Sequence, residues 1–253
     1  MSRPRFWMYT AGPFLLGSLA ASVDVVFTYT FWLQFLFFLI PANFFLYGIN
    51  DIADQDTDKY NSKKKDKERG FSSSHTVYVT ISFLFFVVYA FFLRGGSLLL
   101  LGLFFFLSFA YSMKPFRFKQ LPFLDSFSNV LYIIPGLLGY YFYSGSLPSI
   151  SIIIASWCWV WAMHLYSAIP DIIPDKKAHL LTTAVLLGRN KSLLFCGLLW
   201  TITTVVSGLW FLFIYSIMCI ISYYGNEKKI YWYFPLLNMV IGMILTGYVV
   251  WLM

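Results

Sequence analysis

The sequence predicts an all-α, polytopic membrane protein with nine transmembrane helices. Of its 253 residues, 59% are hydrophobic, 22% are aromatic and only 11% are charged, which is typical of membrane proteins and not of a soluble domain. Apolar runs recur along the whole chain, and about 20 apolar residues cross a bilayer. These runs are too many for a signal peptide, and the first lacks a small-residue cleavage site.

The apolar runs place the nine helices in order at about 6–22, 28–50, 76–93, 97–113, 122–143, 149–169, 191–207, 209–224 and 230–252. Pro4 suits a first helical turn, Pro115 ends the fourth helix, and Gly188 is predicted to stop a helix before the seventh. Four further glycines are predicted to let helices approach closely: Gly197, Gly208, Gly242 and Gly247.

The basic residues set the orientation. With the N-terminus in the cytoplasm, every Lys and Arg except Arg94 falls on the cytoplasmic side of the cell membrane. The net charge of +7 therefore indicates topology and contact with membrane lipid, and no nucleic-acid partner is expected. Cys158, Cys196 and Cys219 lie inside apolar runs without metal-like spacing, so they are predicted to be packing residues.

The chain is predicted to be a single domain, 1–253, built from two four-helix halves, about 1–113 and 120–224, with a ninth helix at 230–252. This division follows from two acidic clusters, which end the second and sixth helices. Each cluster is followed by a basic loop and two further helices.

The first acidic cluster begins where the second apolar run meets a charged loop. A helix through it places Asn50, Asp54 and Asp58 on one face, with Asp51 at its border. Like charges one turn apart destabilise an isolated helix, so this arrangement indicates a cationic ligand.

The second acidic cluster repeats the spacing. Asp171 and Asp175 lie one helical turn apart after an apolar run, and the predicted topology places them on the same cytoplasmic face as the first cluster. Lys176 and Lys177 follow directly. The sequence therefore predicts one site shared between two helix ends, and the alternative is that both clusters are solvated loop starts.

Several cations on the predicted cytoplasmic face are candidates for an anionic ligand: Arg5, Arg69, Arg117 and Lys119. Each has an alternative role, because Arg5, Arg117 and Lys119 fit as positive-inside anchors and Arg69 belongs to a lysine-rich loop that fits as a solvated or lipid-facing patch.

Three polar residues near the fifth and sixth helices each fit two roles. Asp125 and Asn129, one turn apart, fit either a helix cap or a wall of a reaction cavity. His164, two turns before Asp171, fits either a hydrogen-bonded structural histidine or a base.

Paired carboxylates suit hard divalent cations, and Mg²⁺ prefers a few carboxylates together with substrate phosphates. The five aspartates of the two clusters and a diphosphate bring about eight negative charges, and roughly two Mg²⁺ supply four positive ones. The neighbouring lysines and arginines balance the remainder. A diphosphate held next to aromatic helices implies a lipid tail in the bilayer, and the predicted reaction is ionisation of an allylic diphosphate.

The residues resemble the UbiA superfamily of intramembrane prenyltransferases. Its two signature motifs are similar to Asn50-Asp51-x-x-Asp54-x-x-x-Asp58 and Asp171-x-x-x-Asp175-Lys-Lys-Ala-x-x-x-Thr182-x-x-x-x-Leu187-Gly188, and a third landmark resembles Tyr111-Ser112-x-x-Pro115-x-Arg117-x-Lys119. The resemblance implies a Mg²⁺-dependent transferase with nine helices around a lipid-facing cavity. It assigns Asn50, Asp54, Asp58, Asp171 and Asp175 to Mg²⁺ and diphosphate, assigns Arg117 and Lys119 to phosphate, and places Tyr111 near the acceptor.

Two departures from the superfamily pattern point to its carotenoid branch, the lycopene elongase type. Arg69-Gly70 stands where many members carry Arg-Pro, and Pro170 and Pro174 precede the second-motif aspartates, so the sixth helix is predicted to end or distort there. Three segments resemble the same branch: Arg3-Pro4-Arg5-Phe6-Trp7, Asp125-Ser126-Phe127-Ser128-Asn129 and Ser167-Ala168-Ile169-Pro170-Asp171.

The preferred hypothesis is transfer of a dimethylallyl group from its diphosphate to a carotenoid such as lycopene. Two alternatives stay open: prenylation of an aromatic quinone precursor, and a cation transporter that uses the acids as a pore mouth. The sequence predicts no particular oligomeric state.

Overall fold

The structure is a computed structural model that describes residues 6–54 and 74–252, with the backbone alone at Ser74, His75 and Lys228. Arg5, Asp58 and Arg69 therefore lie outside the described residues. Within the described ranges all regular structure is helical, which confirms the predicted all-α architecture. The twelve α-helices of these ranges correspond to the nine predicted segments, because three of these segments are each divided into two helices.

The helices up to residue 112 lie close to their predicted positions: α1 Met8–Ala21, α2 Tyr29–Leu39, α3 Pro41–Ala53, α4 Ser74–Phe91 and α5 Gly95–Ser112. The later helices are α6 Leu124–Phe127, α7 Ile134–Ser144, α8 Ile150–Ala168, α9 Ile172–Lys177, α10 Thr183–Ser207, α11 Ile214–Tyr224 and α12 Glu227–Leu252. Within the described residues, five continuous or nearly continuous segments are long and apolar enough to cross a membrane: Tyr29–Ala53, Gly95–Ser112, Ile150–Lys177, Thr183–Ser207 and Lys229–Leu252.

The second predicted helix is broken at Pro41. Proline has no N–H to donate and its ring clashes with the preceding turn, so α2 ends at Leu39 and α3 starts at Pro41. The break leaves carbonyl groups of α2 without helical donors. The Asn43 side-chain amide donates to the carbonyl oxygens of Phe38 at 2.8 Å and Leu39 at 3.1 Å.

Two other predicted helices differ in detail. The fifth, expected at 122–143, is divided into α6, a 3₁₀ segment at Ser128–Tyr132 and α7. Before the seventh, an additional helical segment begins at Thr183, where the Thr182 hydroxyl accepts the N–H of Val185 and caps the segment. Gly188 ends this segment, as predicted: its backbone is not helical, with φ 73° and ψ 171°, and the two helical segments of α10 meet at this kink.

The chain forms two compact units. The first comprises Met1–Phe116, Leu131–Leu147 and Gly242–Met253. Its core is aromatic: the Phe38 ring lies 5.1 Å from that of Phe14 and 5.9 Å from that of Phe104, measured between centroids. At the end of α4, the guanidinium of Arg94 donates to the carbonyl oxygens of Phe91 and Leu93, at 2.9 and 2.8 Å.

The second unit comprises Arg117–Val130 and Pro148–Ile241. Trp200 of α10 is fully buried, and its ring packs 5.1 Å from Tyr215 and 5.7 Å from Tyr166. The hydroxyl groups of Tyr166 and Ser222 are hydrogen-bonded at 2.7 Å. These contacts join α8, α10 and α11 around one aromatic core.

Arg189 stabilises the end of α11 in the second unit. Its guanidinium donates to the carbonyl oxygens of Ser222 at 2.6 Å, Gly225 at 3.0 Å and Tyr223 at 3.3 Å. It also forms an ion pair with Glu227, the first residue of α12, at 2.9 Å. One side chain therefore fixes the turn between α11 and α12.

Close helix contact in the first unit depends on other glycines than those predicted. A Cβ on Gly17 of α1 would collide with the backbone of Gly136 in α7, and one on Gly136 would lie 2.8 Å from the carbonyl oxygen of Pro13. Gly242 and Gly247 face open space among the described residues, and Gly208 ends α10 with φ 72°. Of the predicted glycines, Gly197 alone approaches a neighbour: a Cβ added there would lie 3.6 Å from the Cβ of Cys219.

Candidate active site

The first acidic cluster lies at the C-terminal end of α3. Asn50 and Asp51 belong to its last turn, and Asp54 follows directly, with its N–H donating to the carbonyl oxygen of Asn50 at 3.0 Å. Asp51 is 6% exposed, whereas Asn50 and Asp54 are half-buried. Asn50 and Asp54 therefore lie one turn apart, as the sequence predicts.

The amide of Asn50 is oriented by a neighbouring helix. The Ser112 hydroxyl, at the end of α5, donates to Oδ1 of Asn50 at 3.1 Å. Tyr111, the predicted acceptor-side residue, precedes this serine and is half-buried. Because the hydroxyl donates to the amide oxygen, this bond determines the direction in which the oxygen of Asn50 points.

A cluster of aromatic rings lies one turn before Asn50. Tyr47, three residues earlier on the same helical face, has its hydroxyl 3.5 Å from that of Tyr132. The ring of Tyr9 meets Tyr132 edge to face at 6.3 Å, and Phe6 lies 6.1 Å from Tyr47. Electron-rich ring faces at this position suit a carbocation or an apolar chain.

The direction of α3 is set by a buried polar contact. Asn43, 2% exposed, donates to the hydroxyl of Thr10 at 2.7 Å, and Thr10 in turn donates to the carbonyl oxygen of Phe38 at 2.7 Å. These bonds join α1 to the break before α3. They therefore position the helix whose other end carries Asn50 and Asp54.

The second acidic cluster occupies a distorted helix end, as Pro170 and Pro174 predict. After α8 the chain forms a 3₁₀ turn at Ile169–Asp171 and then the short α9, so Asp171 and Asp175 flank its first turn. The Thr182 hydroxyl donates to Oδ2 of Asp175 at 3.4 Å. The N–H of Leu180 donates to the carbonyl oxygen of Asp175 at 2.9 Å, which closes the following loop back onto α9.

Four of the predicted cations belong to the second unit. Lys176 and Lys177 end α9 and are exposed, whereas Arg117 and Lys119 are half-buried. Arg117 adopts a left-handed conformation, φ 45°, just before the 3₁₀ turn Phe118–Gln120. This conformation is unusual for a residue with a Cβ, and it turns the chain sharply at the position of a predicted phosphate contact.

Two other predicted residues of the second unit form a buried pair. Asp125 is 1% exposed and Asn129 is 2% exposed, and the Asn129 amide donates to the carbonyl oxygen of Asp125 at 2.6 Å. The Asp125 carboxylate accepts the N–H of Thr183 at 2.7 Å and also the hydroxyl of that residue. His164, the third of the residues that fit two roles, lies in α8 and is half-buried.

The donor chemistry of the two clusters fits Mg²⁺. The amide oxygen of Asn50 and the carboxylates of Asp54, Asp171 and Asp175 are oxygen ligands, which this ion prefers. Within residues 6–54 and 74–252, no three His, Cys, Asp or Glu side chains form a metal site by themselves. Mg²⁺ needs only one or two carboxylates when phosphate oxygens and water complete its shell.

Sequence reasoning gave no role to several residues that hold these groups in place: Thr10, Asn43, Ser112 and Thr183. Ser112 was recognised only as part of the third landmark, and signals for two others were present. Asn43 is a polar residue inside an apolar run two positions after a proline, and Thr183 follows Thr182, which suits an N-cap. The predicted meeting of the two acidic clusters, and their roles in binding, stay predictions.

Comparison with known proteins points in one direction. The profile of the UbiA prenyltransferase family matches residues 10–252. A lycopene elongase/hydratase of Haloferax volcanii is 37% identical over 99% of this chain and 87% of its own length. Another from Haloarcula japonica is 38% identical, covering 100% of this chain and 90% of its own length. The solved structure of a UbiA homologue from Archaeoglobus fulgidus, bound to DMAPP and Mg²⁺, has a TM-score of 0.73 at 18% identity and covers 99% of this chain and 98% of its own.

Proposed function

We propose that this chain, which belongs to the UbiA prenyltransferase family, transfers a dimethylallyl group from its diphosphate to the end of a carotenoid such as lycopene. That the chain is a prenyltransferase and an integral membrane protein follows from the family and from its apolar helices. The observation that carries the finer proposal is near full-length similarity to relatives named lycopene elongase/hydratase, a likeness that extends over both acidic clusters. The cation-transporter alternative is not retained.

The proposed donor site holds the diphosphate on the cytoplasmic side of the membrane. Its Mg²⁺ ligands are proposed to be Asn50, Asp54, Asp58, Asp171 and Asp175, and its further diphosphate contacts Asp51, Arg117, Lys119, Lys176, Lys177, Arg5 and Arg69. Mg²⁺, when bound, neutralises the charge that develops on the leaving diphosphate. Support comes from the oxygen-donor chemistry of the described acids and from the Archaeoglobus homologue, which binds DMAPP and Mg²⁺.

The reaction breaks the bond between the allylic carbon and the diphosphate oxygen, and both bonding electrons leave with the diphosphate. The arginine and lysine side chains stabilise this leaving group in a site shielded from water. The terminal alkene of the polyene then donates its electron pair to the allylic cation, and a new carbon–carbon bond forms. The resulting tertiary cation is resolved by loss of a proton or by capture of water.

Tyr47, Tyr9 and Tyr132 are proposed to face the allylic cation, because Tyr47 is one turn from Asn50 on the same face of α3. Aromatic faces attract cations by about 0.5–2 kcal/mol, and more strongly where water is excluded. The acceptor is proposed to lie on the side of Tyr111, Asp125, Asn129 and His164, of which the half-buried Tyr111 and His164 are the more accessible members.

The test uses purified protein in lipid vesicles with Mg²⁺, labelled dimethylallyl or geranylgeranyl diphosphate, and either lycopene or an aromatic acid. We expect label in lycopene with the dimethylallyl donor. Asp54→Asn and Asp175→Asn should each lower the rate by about 100-fold or more, since each removes charge from the site of diphosphate departure.

Asp24→Asn is the matched control, because Asp24 is exposed and lies outside both clusters. It should leave the rate unchanged. Prenylation of the aromatic acid while lycopene stays unmodified would replace the proposed acceptor. Full activity in both cluster variants would reject the proposed donor site.

A further inference from the structure

Asp125 is a buried carboxylate whose partners lie in two distant parts of the chain. Its Oδ1 accepts the N–H of Ser126 at 2.6 Å, and its Oδ2 accepts the N–H of Thr183 at 2.7 Å. The Thr183 hydroxyl also donates to Oδ1 and accepts the N–H of Phe123 at 2.5 Å. The contact with Ser126 is local to the first turn of α6 and is not the bond of a helix cap, which an N-cap side chain makes two or three residues further on. The bonds to Thr183 instead connect two segments that lie 58 residues apart in the chain.

The backbone at Thr182, where the chain enters α10, directs two neighbouring hydroxyl groups to different partners. Its backbone is extended, with φ −89° and ψ 167°, and successive side chains of extended backbone point in opposite directions. Thr183 therefore meets Asp125, whereas the Thr182 hydroxyl donates to Oδ2 of Asp175 at 3.4 Å. Both threonines are buried, at 8% and 0% exposure, so water does not replace these bonds readily.

The same carboxylate is connected to the loop of predicted phosphate contacts. The N–H of Gln120 donates to the carbonyl oxygen of Arg117 at 3.0 Å, and that of Asp125 donates to the carbonyl oxygen of Leu121 at 2.8 Å. Successive backbone bonds thus lead from Arg117 past Lys119 to Asp125. Movement of Asp125 would move this loop with it.

We propose that Asp125 is a positioning residue for the diphosphate site. Through Thr183 it connects the loop that carries Arg117 and Lys119 to the start of α10, where Thr182 donates to Asp175. The proposal rests on the proposed function, in which both groups act on one diphosphate. A carboxylate that binds metal depends on its own hydrogen-bond partners for orientation, and loss of such a partner costs about 10–100-fold in metal affinity or activity. Asp125 thus acts through Thr183 and does not itself touch the substrate.

The test compares Thr183→Val with Thr204→Val. Both threonines are 0% exposed and lie in α10, but the Thr204 hydroxyl donates within its own helix, to the carbonyl oxygen of Trp200 at 2.9 Å. Each purified variant is melted over a range of Mg²⁺ concentrations at fixed inorganic diphosphate, and prenyl transfer is measured in parallel. Thr183→Ser keeps the hydroxyl and serves as the conservative variant.

We expect Thr183→Val to need about tenfold more Mg²⁺ for half of its thermal stabilisation by diphosphate and for half-maximal transfer. Thr204→Val should need the same Mg²⁺ as the wild type, and Thr183→Ser should return toward that value. A purely structural role would lower the melting temperature in both valine variants without changing the Mg²⁺ requirement. That result would overturn the proposal.

Asp175→Asn separates this inference from the proposed function. If Mg²⁺ and diphosphate stabilise the wild type but not Asp175→Asn, the proposed donor site exists. In that case, an equal Mg²⁺ requirement of Thr183→Val and Thr204→Val refutes the positioning role alone. If they stabilise neither, the proposed donor site is wrong and the inference falls with it. Should Thr183→Val not fold, Thr182→Val decides the question, because it breaks the same connection at the bond to Asp175, together with the cap on Val185, and leaves the contacts between Asp125 and Thr183 in place. An unchanged Mg²⁺ requirement would then overturn the proposal.

Discussion

Arg189 offers a test of whether helix capping or ion pairing fixes the turn after α11. Its guanidinium donates to three carbonyl oxygens at the end of that helix and also pairs with Glu227. A hydrogen bond to a charged group contributes about 1.5–3 kcal/mol, but the arginine side chain is 33% exposed, so water replaces part of what is lost. We therefore expect Arg189→Met to lower the free energy of unfolding by about 3 kcal/mol.

The pattern across three variants is more informative than any single value. Arg189→Lys keeps the charge but loses the planar fork of donors, so its cost should be about 1–2 kcal/mol. Glu227→Gln removes only a partly exposed ion pair, worth about 0.5–1 kcal/mol. The expected order of destabilisation is Met, then Lys, then Gln.

Thermal unfolding of the detergent-solubilised protein measures this order. A change of 3 kcal/mol corresponds to on the order of 10 °C in Tm for a chain of this size. Lys191→Met, at an exposed neighbouring position, controls for loss of a positive charge and should shift Tm by less than about 2 °C. If Glu227→Gln destabilises as much as Arg189→Met, the ion pair is dominant and the capping argument is wrong.

Three further outcomes are expected. Gly17→Ala should destabilise the protein by about 1–3 kcal/mol, because its Cβ would collide with the backbone of Gly136. Gly12→Ala should not, because its Cβ would meet only the flexible tip of a methionine at 3.8 Å. Equal melting temperatures of the two variants would contradict the close helix crossing. Asn43→Leu should cost about 1–2 kcal/mol in the same assay, and a double-mutant cycle with Thr10→Val should be non-additive by about 1 kcal/mol; additivity would mean that the two side chains act independently. Chelation of divalent cations should abolish prenyl transfer, and added Mg²⁺ but not Na⁺ should restore it; transfer that continues in excess chelator would refute the metal requirement.

Hydropathy and charge alone predicted the helix count because each membrane segment must bury a long apolar run, a signal that survives errors at its ends. The break at Pro41 was predictable from the proline, but the length of the apolar run hid it. The helical segment of α10 between Thr183 and Gly188 was not predicted, because its apolar run is too short to indicate a membrane helix, whereas the stop at Gly188 was predicted from the glycine. Polar residues in the sequence indicate where the chain meets water, but a helix with a side-chain cap can begin at a different position.

The acids of the candidate site were visible in the sequence because their spacing repeats and because carboxylates are rare in membrane helices. The side chains that hold them were not. Thr183 and Ser112 look like ordinary small polar residues, and their importance comes from partners 58 and 62 residues away. No periodicity within one helix encodes such a pairing, so these residues emerge only when the chain is folded.

The opposite partners of Thr182 and Thr183 carry a consequence for comparing homologous chains. The loop between Asp175 and this pair must bring each hydroxyl to its own acid, so an inserted or deleted residue would have to be accommodated without moving either threonine. Alignment gaps should therefore be rare in 175–183. Where a homologue has lost one threonine of the pair, a compensating change is expected opposite it.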